Sequence, residues 1–116
     1  MDKNLFEELK GIIKGEVNED KQTLSDFSHD ASIFEVTPKV IIFPKDEEDI
    51  KNVVKYVNKY KKENPYLSVT GRAAGTDMGG GSLNESIIIS FSQHFNHIIE
   101  VTKNSAIVEP GVFYRD

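Results

Sequence analysis

The chain has 116 residues, of which 38% are hydrophobic and 28% charged, with a formal net charge of −5; these proportions suit one small globular domain and exclude a disordered or collagen-like chain. An acidic balance argues against a general nucleic-acid binder, which needs a basic face to neutralise phosphates. The lack of cysteine removes any disulfide framework, thiolate nucleophile or Cys-based metal site and agrees with a reducing compartment.

In chain order, Met1 to Asn4 contain no apolar signal core, and no stretch approaches the roughly 18 apolar residues of a spanning helix. No membrane-spanning segment is expected, and the expected location is cytoplasmic, in a parent protein that can still dock peripherally on a membrane. Leu5, Phe6, Leu9, Ile12 and Ile13 recur at helical spacing and predict a first amphipathic helix that Gly15 stops. The polar stretch 16–29 follows, with a short second helix expected from Asn18 or Glu19. Val40 to Phe43 reads as a strand closed by Pro44. Asp46 then caps a helix whose buried stripe is expected at Ile50, Val53, Val54, Val57 and Tyr60, and which ends at Lys61, Lys62, Asn64 and Pro65. The lysines of this helix, Lys51, Lys55 and Lys59, read as a solvated face.

A strand at 67–70 completes a βαβ unit, whose two strands are expected to cross over right-handedly and pair in parallel. Short strands follow at 87–91, 98–101 and 105–108, the last two joined by a turn at Lys103 and Asn104.

Between the second and third strands lies Thr70-Gly71-Arg72-Ala73-Ala74-Gly75-Thr76-Asp77-Met78-Gly79-Gly80-Gly81. Glycine permits positive φ and puts no Cβ in the way, so successive N–H groups can turn toward an anion. Arg72 has two readings: it holds a diphosphate, or it locks the loop to neighbouring carbonyls. A mobile linker is the plain alternative, but linkers seldom have an apolar strand on each side. The run lacks the Gly-Lys-Ser/Thr of a Walker A loop, and it leads to a strand where a Gly-x-Gly-x-x-Gly fingerprint would open a helix. Its place at the carboxyl end of a parallel strand is where ligands of α/β sheets sit.

Other chemistry-bearing groups carry less. His94 and His97 have no Asp or Glu at ligand spacing, so no metal site is expected. His29 and Asp30, with Ser28 and Ser32, are too close in sequence to align as a triad; capping and loop hydrogen bonds are the reading for Asp30 and Ser32. No catalytic residue is assigned.

The stretch from Arg72 to Gly80 resembles the Arg-Gly-x-Gly-Thr/Ser pattern of the FAD-linked oxidases and dehydrogenases with the vanillyl-alcohol oxidase / p-cresol methylhydroxylase type of FAD-binding domain, with Ala73 where glycine is usual. His29-Asp30-Ala31-Ser32-Ile33-Phe34 is similar to the Asp-Ala-Ser segment of bacterial 2-hydroxy-acid dehydrogenases of this family, such as the glycolate oxidase and D-lactate dehydrogenase flavoproteins. Asn96-His97-Ile98 and Glu109-Pro110-Gly111-Val112 resemble their "N-x-I" strand and "x-Pro-Gly-Val" turn. The resemblance covers residues 28–114.

What the resemblance implies is an α+β fold, the first subdomain of such an FAD-binding domain: a small βαβ parallel sheet flanked by helices, plus short additional strands. Residues 1–28 would be an N-terminal helical segment and 29–116 an incomplete first subdomain, with the second FAD subdomain and a substrate domain lying outside the chain. It implies noncovalent FAD, its diphosphate on the backbone of Ala73, Ala74, Gly75, Thr76 and Asp77, with Arg72 and Gly80 in the same loop and Pro110 and Gly111 beside the cofactor. The implied activity is hydride transfer from a 2-hydroxy acid or similar alcohol to the flavin, with the catalytic base elsewhere and the fragment inactive alone. Such a fragment would expose an apolar face to its missing subdomain or to a second copy. The competing reading is a noncatalytic α/β module that binds a phosphate-bearing ligand or a partner protein.

Overall fold

Two runs of β-branched residues set the architecture. In a computed structural model, which describes residues 2–113, Val40–Phe43 (β2) and Ile87–Ser90 (β4) form the middle of a four-stranded sheet, with Glu16–Asn18 (β1) and Val69–Arg72 (β3) at its edges, in the order β1-β2-β4-β3. Residues 114–116 of the expected 29–116 unit lie outside the described part. Ile41, Ile42, Ile87 and Ile88 are 0% exposed, so both faces of the central pair are covered, as uninterrupted apolar strands require. Register is parallel between β2 and β4 (Val40 opposite Ile87) and between β3 and β4 (Val69 opposite Ile87), and antiparallel between β1 and β2.

The expected direct pairing of the first two parallel strands is corrected here: β2 and β3 run parallel, but β4 lies between them. Four successive buried residues, Ile87 to Ser90, need a neighbour on each side, whereas Thr70, Gly71 and Arg72 of β3 suit an edge. The connection 73–86 is therefore a crossover without a helix. Its returning leg is pinned to β3: the Asn84 amide donates to Thr70 Oγ1 at 2.8 Å, Ser68 Oγ donates to Asn84 Oδ1 at 3.2 Å, and the Ser68 N–H donates to Ser86 Oγ at 3.3 Å.

One face of the sheet carries Val40, Ile42, Ile87 and Ile89, packed against Leu5 and Leu9 of helix α1 (Asp2–Lys10) and Val53 of helix α3 (Glu47–Tyr60). Helix α1 ends earlier than expected, and Ile12 is 36% exposed beyond it. The buried stripe of α3 is also shifted. Asp49 and Val53 are buried, with Tyr56, Val57 and Tyr60 packed against the core, while Val54 is 50% exposed; at 3.6 residues per turn, Val54 lies about 100° round from Val53. The other face carries Ile41 and Phe43, and the Phe27 ring, just after helix α2 (Lys21–Asp26), meets Phe43 edge-on at 5.9 Å between centroids. Strand β1 was not foreseen; it spans Glu16–Asn18 with Val17 as its one apolar residue, too short for an alternation to show. A separate antiparallel hairpin, Ile98–Val101 (β5) and Ala106–Val108 (β6), is closed by the Thr102 N–H donating to the Ser105 carbonyl at 2.7 Å.

Helix α3 begins as its sequence predicts. The Asp46 carboxylate accepts the Asp49 N–H at 3.1 Å and pairs with Lys14 Nζ at 2.6 Å, and this Lys14 hydrogen bond, ahead of the backbone ones, holds the Asp46 carboxyl below the ordinary carboxylate range. A depressed folded pKa gives stability that is present above the unfolded value, about 3.9, and lost as pH falls through the lower folded value. Denaturant unfolding of Asp46→Asn should therefore show a deficit relative to the parent chain at pH 6 that shrinks as pH drops below about 4.

Candidate functional site

The carboxyl edge of the parallel strands is where the glycine-rich run emerges. Arg72 is the last residue of β3, so it is fixed to the sheet, and Phe91 N–H donates to its carbonyl at 2.9 Å. From the register, Thr70 and Arg72 share the face of Ile88 and Ser90, the same face that Phe27 covers. There the Arg72 guanidinium donates from Nη1 to the Phe27 carbonyl at 3.2 Å and lies over the Phe27 ring, 5.0 Å from its centroid. Burial pushes the Arg72 pKa down from its ordinary value, opposed by the carboxylates of Asp30 and Asp77.

Beyond Arg72 the loop turns outward. Ala73, Ala74, Thr76, Asp77 and Met78 are exposed, and among the described residues none supplies an acceptor to the backbone N–H groups of 73–79. Two glycines take the left-handed region, Gly75 at φ 71° and Gly80 at φ 81°, which an L side chain rarely adopts. A Cβ at Gly75 would run into the Arg72 guanidinium, and one at Gly80 would meet Phe34 Cδ2 at 3.1 Å, while Gly79 has open space around it. A run of mostly exposed residues whose N–H groups have no partner among the described residues, beside a glycine bend at a parallel-sheet edge, is what an anion such as a diphosphate needs.

Gly111 reaches this edge through Phe91, while Pro110 before it is exposed. Gly111 N–H donates to the Phe95 carbonyl at 2.6 Å, Phe95 N–H donates to the Phe91 carbonyl at 3.0 Å, and the Phe91 ring lies against Gly71. Gly111 is buried, and a Cβ there would collide with the Phe91 and Phe95 carbonyl oxygens. Gly111→Ala should cost about 1–3 kcal/mol by overpacking and speed amide exchange in β5 and β6, read by hydrogen-exchange mass spectrometry. Beside this turn, His97 Nδ1 lies 2.5 Å from Glu109 Oε1, which also accepts the His97 N–H. That pair spans 97 and 109, too far apart in sequence for spacing to reveal it. Among the described residues no three His, Cys, Asp or Glu side chains cluster as a metal site would need.

The pattern of a family described as an FAD binding domain matches residues 38–116. The chain belongs to this family. FAD is its cofactor, and the domain is of the kind found in flavin oxidoreductases. A D-2-hydroxyglutarate dehydrogenase of Escherichia coli K12 is 32% identical over 87 residues, covering 73% of this chain and 8% of that protein. One from Stutzerimonas stutzeri A1501 is 29% identical over 115 residues, covering 96% of the chain and 24% of that protein. The chain thus spans a small part of the length of its curated relatives. Among solved structures, a 4-ethylphenol oxidase from Gulosibacter chungangensis superposes with a TM-score of 0.75 at 23% identity over 95% of this chain and 22% of its own. A p-cresol methylhydroxylase does so with 0.73 at 19% identity over 94% and 22%. At these identities the superpositions show the fold: α+β, of the vanillyl-alcohol oxidase and p-cresol methylhydroxylase type. No helix among the described residues of this FAD-binding domain is long and apolar enough to cross a membrane.

Proposed function

We propose that this FAD-binding domain holds its cofactor noncovalently and serves an oxidoreductase that oxidises a 2-hydroxy acid or a similar alcohol. The observation that carries the site is the stretch of backbone N–H groups over 73–79, at the carboxyl edge of β3, that have no partner among the described residues. These donors, bent at Gly75, would take the diphosphate, with Gly80 shaping the far side of the loop and Gly111, after Pro110, supporting it through Phe91. No histidine lies in the loop to attach a flavin. When bound, FAD supplies the two-electron acceptor; the residues of this chain bind and orient it and keep its diphosphate neutralised by fixed dipoles rather than by a lysine. The substrate class rests on the relatives that are D-2-hydroxyglutarate dehydrogenases.

In this reading 29–116 is the first FAD subdomain, and a second FAD subdomain and a substrate domain carrying the proton acceptor complete the enzyme. Its docking face is the β5–β6 hairpin, where Ile98, Ile99, Val101, Ile107 and Val108 are all at least 45% exposed, more apolar surface than a free hairpin keeps in water. Calorimetric titration with FAD tests the proposal on this chain and on the full-length product of its gene. FAD binding by the full-length protein, with bleaching of its flavin absorbance by a D-2-hydroxy acid, is the expected result. Absence of FAD binding in both would leave a noncatalytic phosphate-ligand or interaction module.

A further inference from the structure

The two glycines with positive φ are each pressed against a side chain that the segment before β2 provides or holds. Gly75 lies on the Arg72 guanidinium, which the Phe27 carbonyl and ring also hold. Gly80 lies on the Phe34 ring. A third tie joins the same pieces: Ser82 Oγ, on a residue 4% exposed, donates to Asp30 Oδ2 at 3.4 Å. Asp30 is itself braced, accepting the Ser32 N–H at 2.8 Å, and its carboxyl is held below the usual range first by Ser32 and further by Ser82 and Arg72. None of Phe27, Asp30 or Phe34 lies within the matched part of the family pattern, which begins at residue 38.

We propose that segment 27–34 is a brace that sets the conformation of the phosphate loop, and that Arg72 is a positioning residue within it rather than a phosphate ligand. The proposal rests on the FAD reading above for what the loop holds, but the brace itself is a property of the chain alone. Its logic is geometric. Arg72 commits its guanidinium to the Phe27 carbonyl and ring and to the Gly75 bend, which leaves the N–H groups of 73–79 to serve as the anion donors. Phe34 fixes the second bend from outside the loop. A planar, stacking side chain is needed at position 72, and lysine cannot replace it.

The test uses the whole chain and two variants, with Arg72→Ala added for the ligand titration. Arg72→Lys keeps the charge but loses the stacking plane; Phe34→Leu removes a 53% exposed ring from beside Gly80. The first readout needs no ligand: the nuclear magnetic resonances of Gly75 and Gly80, and exchange of the Leu83 amide, which donates to the Gly80 carbonyl at 3.1 Å. Both variants should shift the glycine resonances, Phe34→Leu by loss of ring current at Gly80, and speed Leu83 exchange about tenfold or more while amides of Ile41 and Ile88 keep theirs. Unchanged glycine resonances and Leu83 exchange in both variants would overturn the brace. The second readout is titration with ADP as a diphosphate probe. Loss of ADP affinity in Arg72→Lys equal to that in Arg72→Ala is expected; retention by lysine alone would make Arg72 a charge ligand and overturn its positioning role. If neither this chain nor the full-length protein binds ADP or FAD, the FAD reading is what suffers, and the first readout still decides the brace.

Discussion

Asp49→Ala should lower the stability of the fold by about 3–5 kcal/mol, the largest effect expected of any single side-chain truncation here. Asp49 is 0% exposed and sits in the first turn of α3. Its two oxygens accept the N–H groups of Lys14 at 2.8 Å, Gly15 at 2.9 Å and Lys45 at 2.8 Å. One carboxylate thereby ties the end of the α1 segment, the entry to β1 and the exit of β2 to the start of α3. Alanine would strand these donors, and burial beside β2 leaves water little access to replace the acceptor. Asparagine should recover only part of the loss, because its amide turns a donor toward at least one N–H. Urea unfolding followed by circular dichroism measures both. An Asp49→Ala midpoint within error of the parent would mean that the three N–H groups find other partners. The site has a second guard: a Cβ at Gly15 would collide with the Phe43 carbonyl and approach Lys45 N to 2.8 Å, so Gly15→Ala should disturb the same junction.

Gly75→Val should reduce FAD affinity about 100-fold or more, which is about 3 kcal/mol, while leaving the sheet folded. Two costs add. A β-branched residue at φ 71° is strained by about 1–3 kcal/mol, and its Cβ must expel the Arg72 guanidinium. The obstruction is thus within the loop: valine displaces the side chain that holds the bend, in addition to any crowding of the diphosphate. Gly79→Ala is the matched control, since nothing lies within 4 Å of its added Cβ and its φ is not in the left-handed region; its FAD affinity should stay close to that of the parent. FAD titration of the full-length protein compares the three. Equal affinity in Gly75→Val and Gly79→Ala would remove this loop from the cofactor site.

Much of the chain was legible because its signals are local. Val40–Phe43 and Ile98–Val101 fall where β-branched runs placed them, Asp46 caps the helix it was expected to cap, and Lys103 and Asn104 lie in the hairpin turn. The glycine-rich run with Arg72 inside it stands out in composition, and its resemblance to the family pattern brings in Gly75 and Gly80. What escaped depends on partners distant in sequence. Asp49 reads as one more solvated acid at a helix start, and only its contacts with Lys14 and Gly15 make it a core residue. The placement of β4 between β2 and β3 follows from burial on both sides, which pairwise reading of adjacent elements does not weigh. Phe27 and Phe34 belong to no apolar periodicity, because what they touch is Arg72 and Gly80, far later in the chain.

That late arrival of β4 has a consequence for how the chain assembles. Neither edge of the parallel trio can close on the other until the last strand slides in, so the sheet waits on a segment made after the glycine-rich crossover. The residues proposed to cradle a ligand are therefore also the tether whose closure entropy the chain must overcome to complete its centre. A ligand that orders 73–81 acts on the native state and also shortens the search of β4 for its slot. Cofactor supply during synthesis should then raise the yield of folded protein as well as the fraction that is loaded, two quantities that expression with and without added riboflavin would separate.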